Sequence, residues 1–163
     1  RTHDKSHILK HLSKEVDFKD ITDDLVCLGL FGPKSRELIE AISKDNFSNE
    51  RFKFGTGKLI KINLKFIWAQ RLSFVGELGY ELYIQPSDAK EIYKLIIENG
   101  KKFNLSHCGM HALDTMRMES GFLHWGHDIS PEENQFEAGL SFAISKKKKC
   151  RIYWKTRIRK NKK

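Results

Sequence analysis

Two carboxylates and two glycines crowd together in residues 73–83, SFVGELGYELY. Gly76 and Gly79 bracket Glu77 and Leu78, and Glu81 follows inside an otherwise apolar run, residues 79–84. Glycines so placed let the backbone turn sharply or approach a ligand closely. A carboxylate inside an apolar strand needs a partner, because an unpaired charge is costly to bury. A ligand with paired N–H donors would supply one.

The elements that must hold this stretch follow from the pattern of apolar residues. Strands rich in β-branched and aromatic residues are expected on both sides of the glycines: residues 66–75 lead in and 79–84 lead out. Residues 55–64 form an earlier strand, in which Leu59, Ile60 and Ile62 alternate with lysines, and a short polar break near Asn63 and Lys65 follows it. Residues 25–31, LVCLGLF, have strand length and end at Gly32-Pro33. Pro33 suits the first turn of a helix, and Leu38, Ile39 and Ile42 sit at helical spacing in residues 35–42. Ser87-Asp88 is an N-cap signal for a helix through Ile92, Leu95 and Ile96 that stops at Asn99-Gly100. A last helix is expected over residues 110–119, with Ala112, Leu113, Met116 and Met118 inward and Gly121 beyond its end. Strands outnumber helices and the connections are mixed, so the expected class is α+β.

Histidines invite a metal reading, which the spacing does not support. His3, His7 and His11 would line one face of a helix, but no carboxylate or cysteine completes a shell, and a solvated helix is the plainer reading. His107, Cys108 and His111, with His124 and His127, have loose spacing and no paired cysteines, so capping or hydrogen-bonding roles are expected and no metal. Trp125 sits in an expected loop between Gly121 and Gly126, where plugging the core is preferred over stacking on a ligand.

Length and charge bound the rest. A chain of 163 residues allows one ordinary domain or a piece of a larger one, and the absence of a starting methionine suggests a truncated frame or a processed chain. No apolar run approaches the ~18 residues of a membrane span. Three cysteines, Cys27, Cys108 and Cys150, give no disulfide framework and fit a reducing compartment. The formal charge of +9 is uneven: residues 146–163 hold 11 of the 30 basic residues and no acid, which leaves 19 basic against 21 acidic residues elsewhere. A nucleic-acid partner would rest on the tail alone, and neither nucleic acid nor membrane is expected as a partner.

Three strings in order carry a family resemblance: LGLFGPKSRELI (residues 28–39), SFVGELGYELYI (73–84) and GMHALDTMRMESGFLHWGHDISPEENQFEAGLSFAI (109–144). Together they resemble the glycine-cleavage T-protein family of folate-dependent aminomethyltransferases, and more closely the folate-binding C-terminal region of dimethylglycine and sarcosine dehydrogenases. The resemblance covers about residues 17–144. It implies a partial T-protein-like α+β fold with mostly antiparallel sheets and packed helices. Residues 1–145 would be a partial folate-binding domain, followed by a basic tail, 146–163. It also implies tetrahydrofolate as cofactor, with FAD only in a missing N-terminal domain of the parent chain, and a methylated glycine-type amine as substrate. The location implied is the cytoplasm, or the mitochondrial matrix in a eukaryote. The second glutamate of the family's GE-x-G-x-E motif hydrogen-bonds the pteridine, and Glu81 holds that position. A carboxylate suits the role because it accepts two parallel N–H bonds from an amino-pyrimidinone edge. Glu77 and Tyr80 are its expected neighbours in cofactor binding. A cross-strand ion pair is the alternative for Glu81, and a turn-stabilising role the alternative for Glu77.

Two departures qualify the resemblance. In T-proteins an arginine follows the alanine of a pattern like ARD-x-LRLE, whereas here the string is ALD-T-MRME and Leu113 stands in its place. That difference fits the dehydrogenase-like branch. Arg117 and Glu119 match the LRLE part and are read as mainly structural. The family's catalytic aspartate lies in an upstream Asn-Gly-Gly segment that nothing in this chain matches, and the dinucleotide-binding glycine fingerprint is missing too. No catalytic residue is therefore expected in this chain, and alone it should not transfer one-carbon units. The alternatives are a glycine-cleavage aminomethyltransferase and a non-catalytic folate-binding protein of the same fold. The KGC-Y-x-GQE-type motif of the iron–sulfur-cluster maintenance relatives is absent.

The tail reads as the product of a frameshift, disordered and without a packing role. Its charge changes abruptly at the lysine run 146–149, where A-rich codons invite a slip. Trp154 has a single codon, and any lysine codon after it gives glycine when the frame moves by one base. With A/T-rich codons the shifted frame of residues 150–163 reads Ala-Glu-Phe-Ile-Gly-Lys-Gln-Glu-Leu-Glu-Lys-Ile-Lys. Phe-Ile-Gly-Lys followed by a helix is what the family shows after its AGL-x-F-x-(V/I) strand, here residues 138–144. A true polybasic extension is the alternative. Genomic reads are expected to show an insertion or deletion in the lysine run; reads that carry the present frame intact through Lys163 would defeat the idea.

Overall fold

A computed structural model describes residues 2–144, so the tail and the frameshift reading lie outside the described residues. The centre is a four-stranded antiparallel sheet in the order β1-β4-β3-β2, from β1 (Val26–Phe31), β2 (Gly57–Ile62), β3 (Lys65–Gln70) and β4 (Gly79–Ile84). Helices α2 (Ser35–Ile42) and α3 (Pro86–Gly100) pack together on one face, while α1 (Thr2–His11) and α4 (Met110–Glu119) lie outside this layer pair. The class is α+β, as expected. None of the helices among the described residues is long and apolar enough to cross a membrane.

Strand alternation divides the sheet into two unlike faces. Leu30, Ile60, Ile62, Ile67, Ala69, Tyr80, Leu82 and Ile84 point to the helices, where Leu38 and Ile39 of α2 and Ile92 and Ile96 of α3 meet them. Phe47 and Phe52, from the connection between α2 and β2, close one end of this core around Tyr80, with ring centroids 5.5 and 5.6 Å from it. Among the described residues the opposite face is bare of helices, and Leu59, Phe66 and Trp68 are exposed.

Several local expectations shift. The strand expected over residues 66–75 ends at Gln70, because Phe74 and Val75 turn away to pack against the end of α4. The lead-in to the glycines is thus a bend, not a strand. Ser87-Asp88 does not cap α3. The helix starts at Pro86, at the position where a missing N–H costs nothing, with Gln85 as N-cap. Asp88 instead binds Lys65 Nζ at 2.8 Å. In α4 the inward face differs from the apolar pattern: Arg117 is the buried residue, Leu113 and Met116 are half-buried, and Ala112 and Met118 are exposed. Trp125 does not plug the core; it is 52% exposed.

Candidate functional site

Glu81 stands on the bare face of β4, the alternation that sends Tyr80 and Leu82 inward sending Glu81 outward. Its row across the sheet is Gly29, Glu81, Gln70, Gly57, and the next row is Cys27, Tyr83, Trp68, Leu59. Aromatic rings overlie the glycines. A Cβ at Gly29 would meet the Phe31 ring at 2.5 Å, and a Cβ at Gly79 would strike the same ring. A Cβ at Gly57 would meet the Trp68 ring at 2.5 Å. The half-buried carboxylate therefore occupies a row whose two ends are roofed by flat apolar rings.

Tyr83 donates its hydroxyl hydrogen to Glu81 Oε2 at 2.6 Å. No lysine or arginine forms an ion pair with Glu81 among the described residues, so the cross-strand pair does not occur there. The hydrogen bond to the carboxylate, together with burial, pushes the Tyr83 phenol well above its ordinary value, so it stays a donor at neutral pH. Partial burial, then the Glu81 charge, pushes the Cys27 thiol up as well, which argues against a thiolate nucleophile on this face.

The other two expected residues are placed differently. Tyr80 is fully buried in the core on the opposite side of the sheet, and its hydroxyl has no hydrogen-bond partner among the described residues. Adjacent strand residues point to opposite faces, so Tyr80 cannot share a ligand with Glu81 on the bare face. Glu77 is exposed in the bend before β4. Phe31, Trp68, Gln70 and Tyr83 share the face with Glu81 and were not expected there. Tyr83 was within reach of sequence reasoning, because i and i+2 of a strand face the same way. Phe31 and Trp68 required the cross-strand register.

The three sequence strings converge around this bend. The Leu78 carbonyl accepts from Gly32 N–H at 2.8 Å and from Ser35 Oγ–H at 3.1 Å, joining the first string to the second. Ser120 Oγ–H donates to the Val75 carbonyl at 3.2 Å, and the rings of Phe74 and Phe122 stack with centroids 6.3 Å apart, joining the second to the third. The third string is itself tied by Arg117. Its Nε binds Asp114 Oδ1 at 2.8 Å, its Nη1 reaches the Phe122 carbonyl at 3.1 Å, and the same nitrogen binds Asp128 Oδ2. Gly121, at φ +72°, ends α4 with Phe122 N–H on the Arg117 carbonyl and Gly121 N–H on that of Met118, a left-handed helix stop.

Asp128 anchors the loop after α4 by accepting the His124 backbone N–H at 2.7 Å. That bond, the His127 ring and Arg117 hold its carboxyl down at about 2, from an ordinary 3.8. A depressed folded-state value means that the contribution is complete above 3.8 and is lost as pH falls through about 2. Carbon-13 NMR of the Asp128 carboxyl is expected to show a midpoint near 2; a midpoint at 3.8 would mean that the tie is not formed.

The His3, His7 and His11 face forms as a helix: His11 Nδ1 lies 2.8 Å from the His7 carbonyl, and the two rings are 4.4 Å apart. His107 Nε2 hydrogen-bonds Tyr93 Oη at 2.6 Å. Neither set forms a group of three metal-ligating side chains among the described residues.

Residues 1–148 match the family of the GCVT N-terminal domain. The chain is similar to 4-methylaminobutanoate oxidase (formaldehyde-forming) of Paenarthrobacter nicotinovorans, 43% identical over 126 residues, which is 77% of this chain and 15% of that protein. It is similar to human mitochondrial sarcosine dehydrogenase, 35% identical over 148 residues, 89% of this chain and 16% of that protein. An aminomethyltransferase of Shouchella clausii is 30% identical over 160 residues, 95% of this chain and 42% of that protein. The chain thus spans about one sixth of the length of the oxidase and the dehydrogenase, and less than half of the aminomethyltransferase.

Proposed function

This chain belongs to the GCVT N-terminal domain family, and on that premise we propose that it is part of a tetrahydrofolate-dependent one-carbon transfer module, of the kind carried by methylated-glycine dehydrogenases. The observation that carries the reading is Glu81: a carboxylate on an open sheet face, held by a tyrosine hydroxyl and lacking a cationic partner among the described residues. Its acceptor atoms suit the N–H edge of a 2-amino-4-oxo-pteridine. The rings of Phe31 and Trp68 beside it offer apolar surface to a flat heterocycle. Bound tetrahydrofolate supplies the amine nitrogens that take up the one-carbon unit.

The protein's own part here is to bind and orient. Glu81 fixes the heterocycle edge, the apolar rings limit water around it, and the turn at Gly76 ties β4 to α4 so that the face keeps its shape. FAD chemistry is assigned to a domain outside this chain, and the amine substrate is of the methylated glycine type. A reducing compartment, the cytoplasm or the mitochondrial matrix, suits the cysteines.

The test is a calorimetric titration of the intact protein with 5-formyltetrahydrofolate. Saturable one-to-one binding is expected, and no heat of binding at millimolar ligand would overturn the reading. The 163-residue chain alone, given tetrahydrofolate and sarcosine or dimethylglycine, is expected to form no methylene-tetrahydrofolate. Measurable turnover would show that the catalytic group lies within the chain after all.

A further inference from the structure

We propose that Tyr83 is a positioning and specificity residue for the Glu81 site, an inference that rests on the pteridine-edge reading given above. Tyr83 and Glu81 are two residues apart on β4 and so share the bare face. A glutamate side chain has three rotatable bonds, and one on an open face would sample many rotamers. On one side its β1 partner is Gly29, covered by the Phe31 ring, which has no donor to hold the carboxylate. The Tyr83 hydroxyl supplies the restraint by donating to Oε2 at 2.6 Å. In the ladder Tyr83 stands opposite Cys27 on β1 and Trp68 on β3.

This arrangement has a chemical consequence. A tyrosine hydroxyl has one hydrogen to give, and it is committed to Oε2, so Glu81 is fixed in rotamer while the unused lone pairs of both oxygens still accept. The phenol stays protonated because the neighbouring carboxylate opposes its ionisation. A fixed acceptor pair discriminates between ligands that carry two N–H donors on one edge and ligands that carry one, whereas a rotating carboxylate accommodates both.

The test is a double-mutant cycle in the intact protein with 5-formyltetrahydrofolate as probe, comparing wild type, Tyr83→Phe, Glu81→Ala and the double variant, with Glu81→Gln measured beside them. Tyr83→Phe keeps the ring and its packing and removes only the hydroxyl. It is expected to weaken binding about three- to tenfold, the scale of one hydrogen bond, and to have no further effect once Glu81 is alanine, which has no acceptor for the hydroxyl. An equal loss in both backgrounds would make Tyr83 a packing residue and overturn the inference, as would an unchanged affinity in Tyr83→Phe. If Glu81→Gln leaves affinity unchanged, the pteridine-edge reading itself falls and takes the inference with it. Where Glu81→Ala binds too weakly to complete the cycle, a pteridine lacking the 2-amino group decides. Tyr83→Phe should reduce the preference for the 2-amino ligand several-fold, and an unchanged preference overturns the inference. A merely structural role would lower both affinities together.

Discussion

Replacing Glu81 by glutamine in the intact protein is expected to weaken folate binding by about 1–3 kcal/mol, roughly five- to 150-fold, with little change in stability. Glutamine conserves shape and one carbonyl acceptor. It replaces the second carboxylate oxygen by an amide nitrogen that can only donate, so one of two ligand N–H groups faces another donor. The charge-assisted part of the interaction goes with it. Stability should hold because Glu81 is only half-buried and packs against no cation among the described residues. Calorimetry gives the affinity and a thermal melt gives the control. Unchanged affinity would remove Glu81 from the site; a large fall in melting temperature would show that its role is in the fold.

Gly76→Ala should have the largest effect on the fold itself. Gly76 has φ +78°, a conformation that an alanine adopts only with strain of about 1–3 kcal/mol. A Cβ there would also land on the side chain of Ser120, 2.6 Å from its Cβ. Moving Ser120 gives up its bond to the Val75 carbonyl, and crowding of this kind costs a further ~1–3 kcal/mol. Urea unfolding is expected to show a loss of about 2–6 kcal/mol in total. An effect below 1 kcal/mol would mean that the bend and the end of α4 are not packed together as described.

Much of this fold was legible because its elements obey simple periods. The helices at residues 35–42 and 110–119 and the strand at residues 79–84 have the expected bounds; of the glycine pair, Gly76 lies in the bend at positive φ, whereas Gly79 opens the strand. What escaped was set by contacts distant in the chain. Residues 71–75 have strand composition, yet the partner of Phe74 is Phe122, and that pairing bends the backbone away from the sheet. Arg117 reads as mainly structural but is not among the residues expected inward on its helix; Asp114 and Asp128 together make its burial tolerable. Glu81 was legible as an acid in an apolar strand. Tyr80, next to it in sequence, was grouped with it, although the period of two separates them by the thickness of the sheet.

The split character of β4 bears on how such a site can evolve. Tyr80, Leu82 and Ile84 answer to the core, where nearly any change is felt. Residues 79, 81 and 83 answer to whatever lies on the bare face, where substitutions away from the Phe31 ring change stability little. A single six-residue strand therefore carries two independent sets of constraints, interleaved one for one. On the proposed reading of Glu81 and Tyr83 as ligand-facing, lineages can drift in ligand preference through these two residues without first accumulating a reserve of stability, while the inward set keeps the strand in register for the next variant to use.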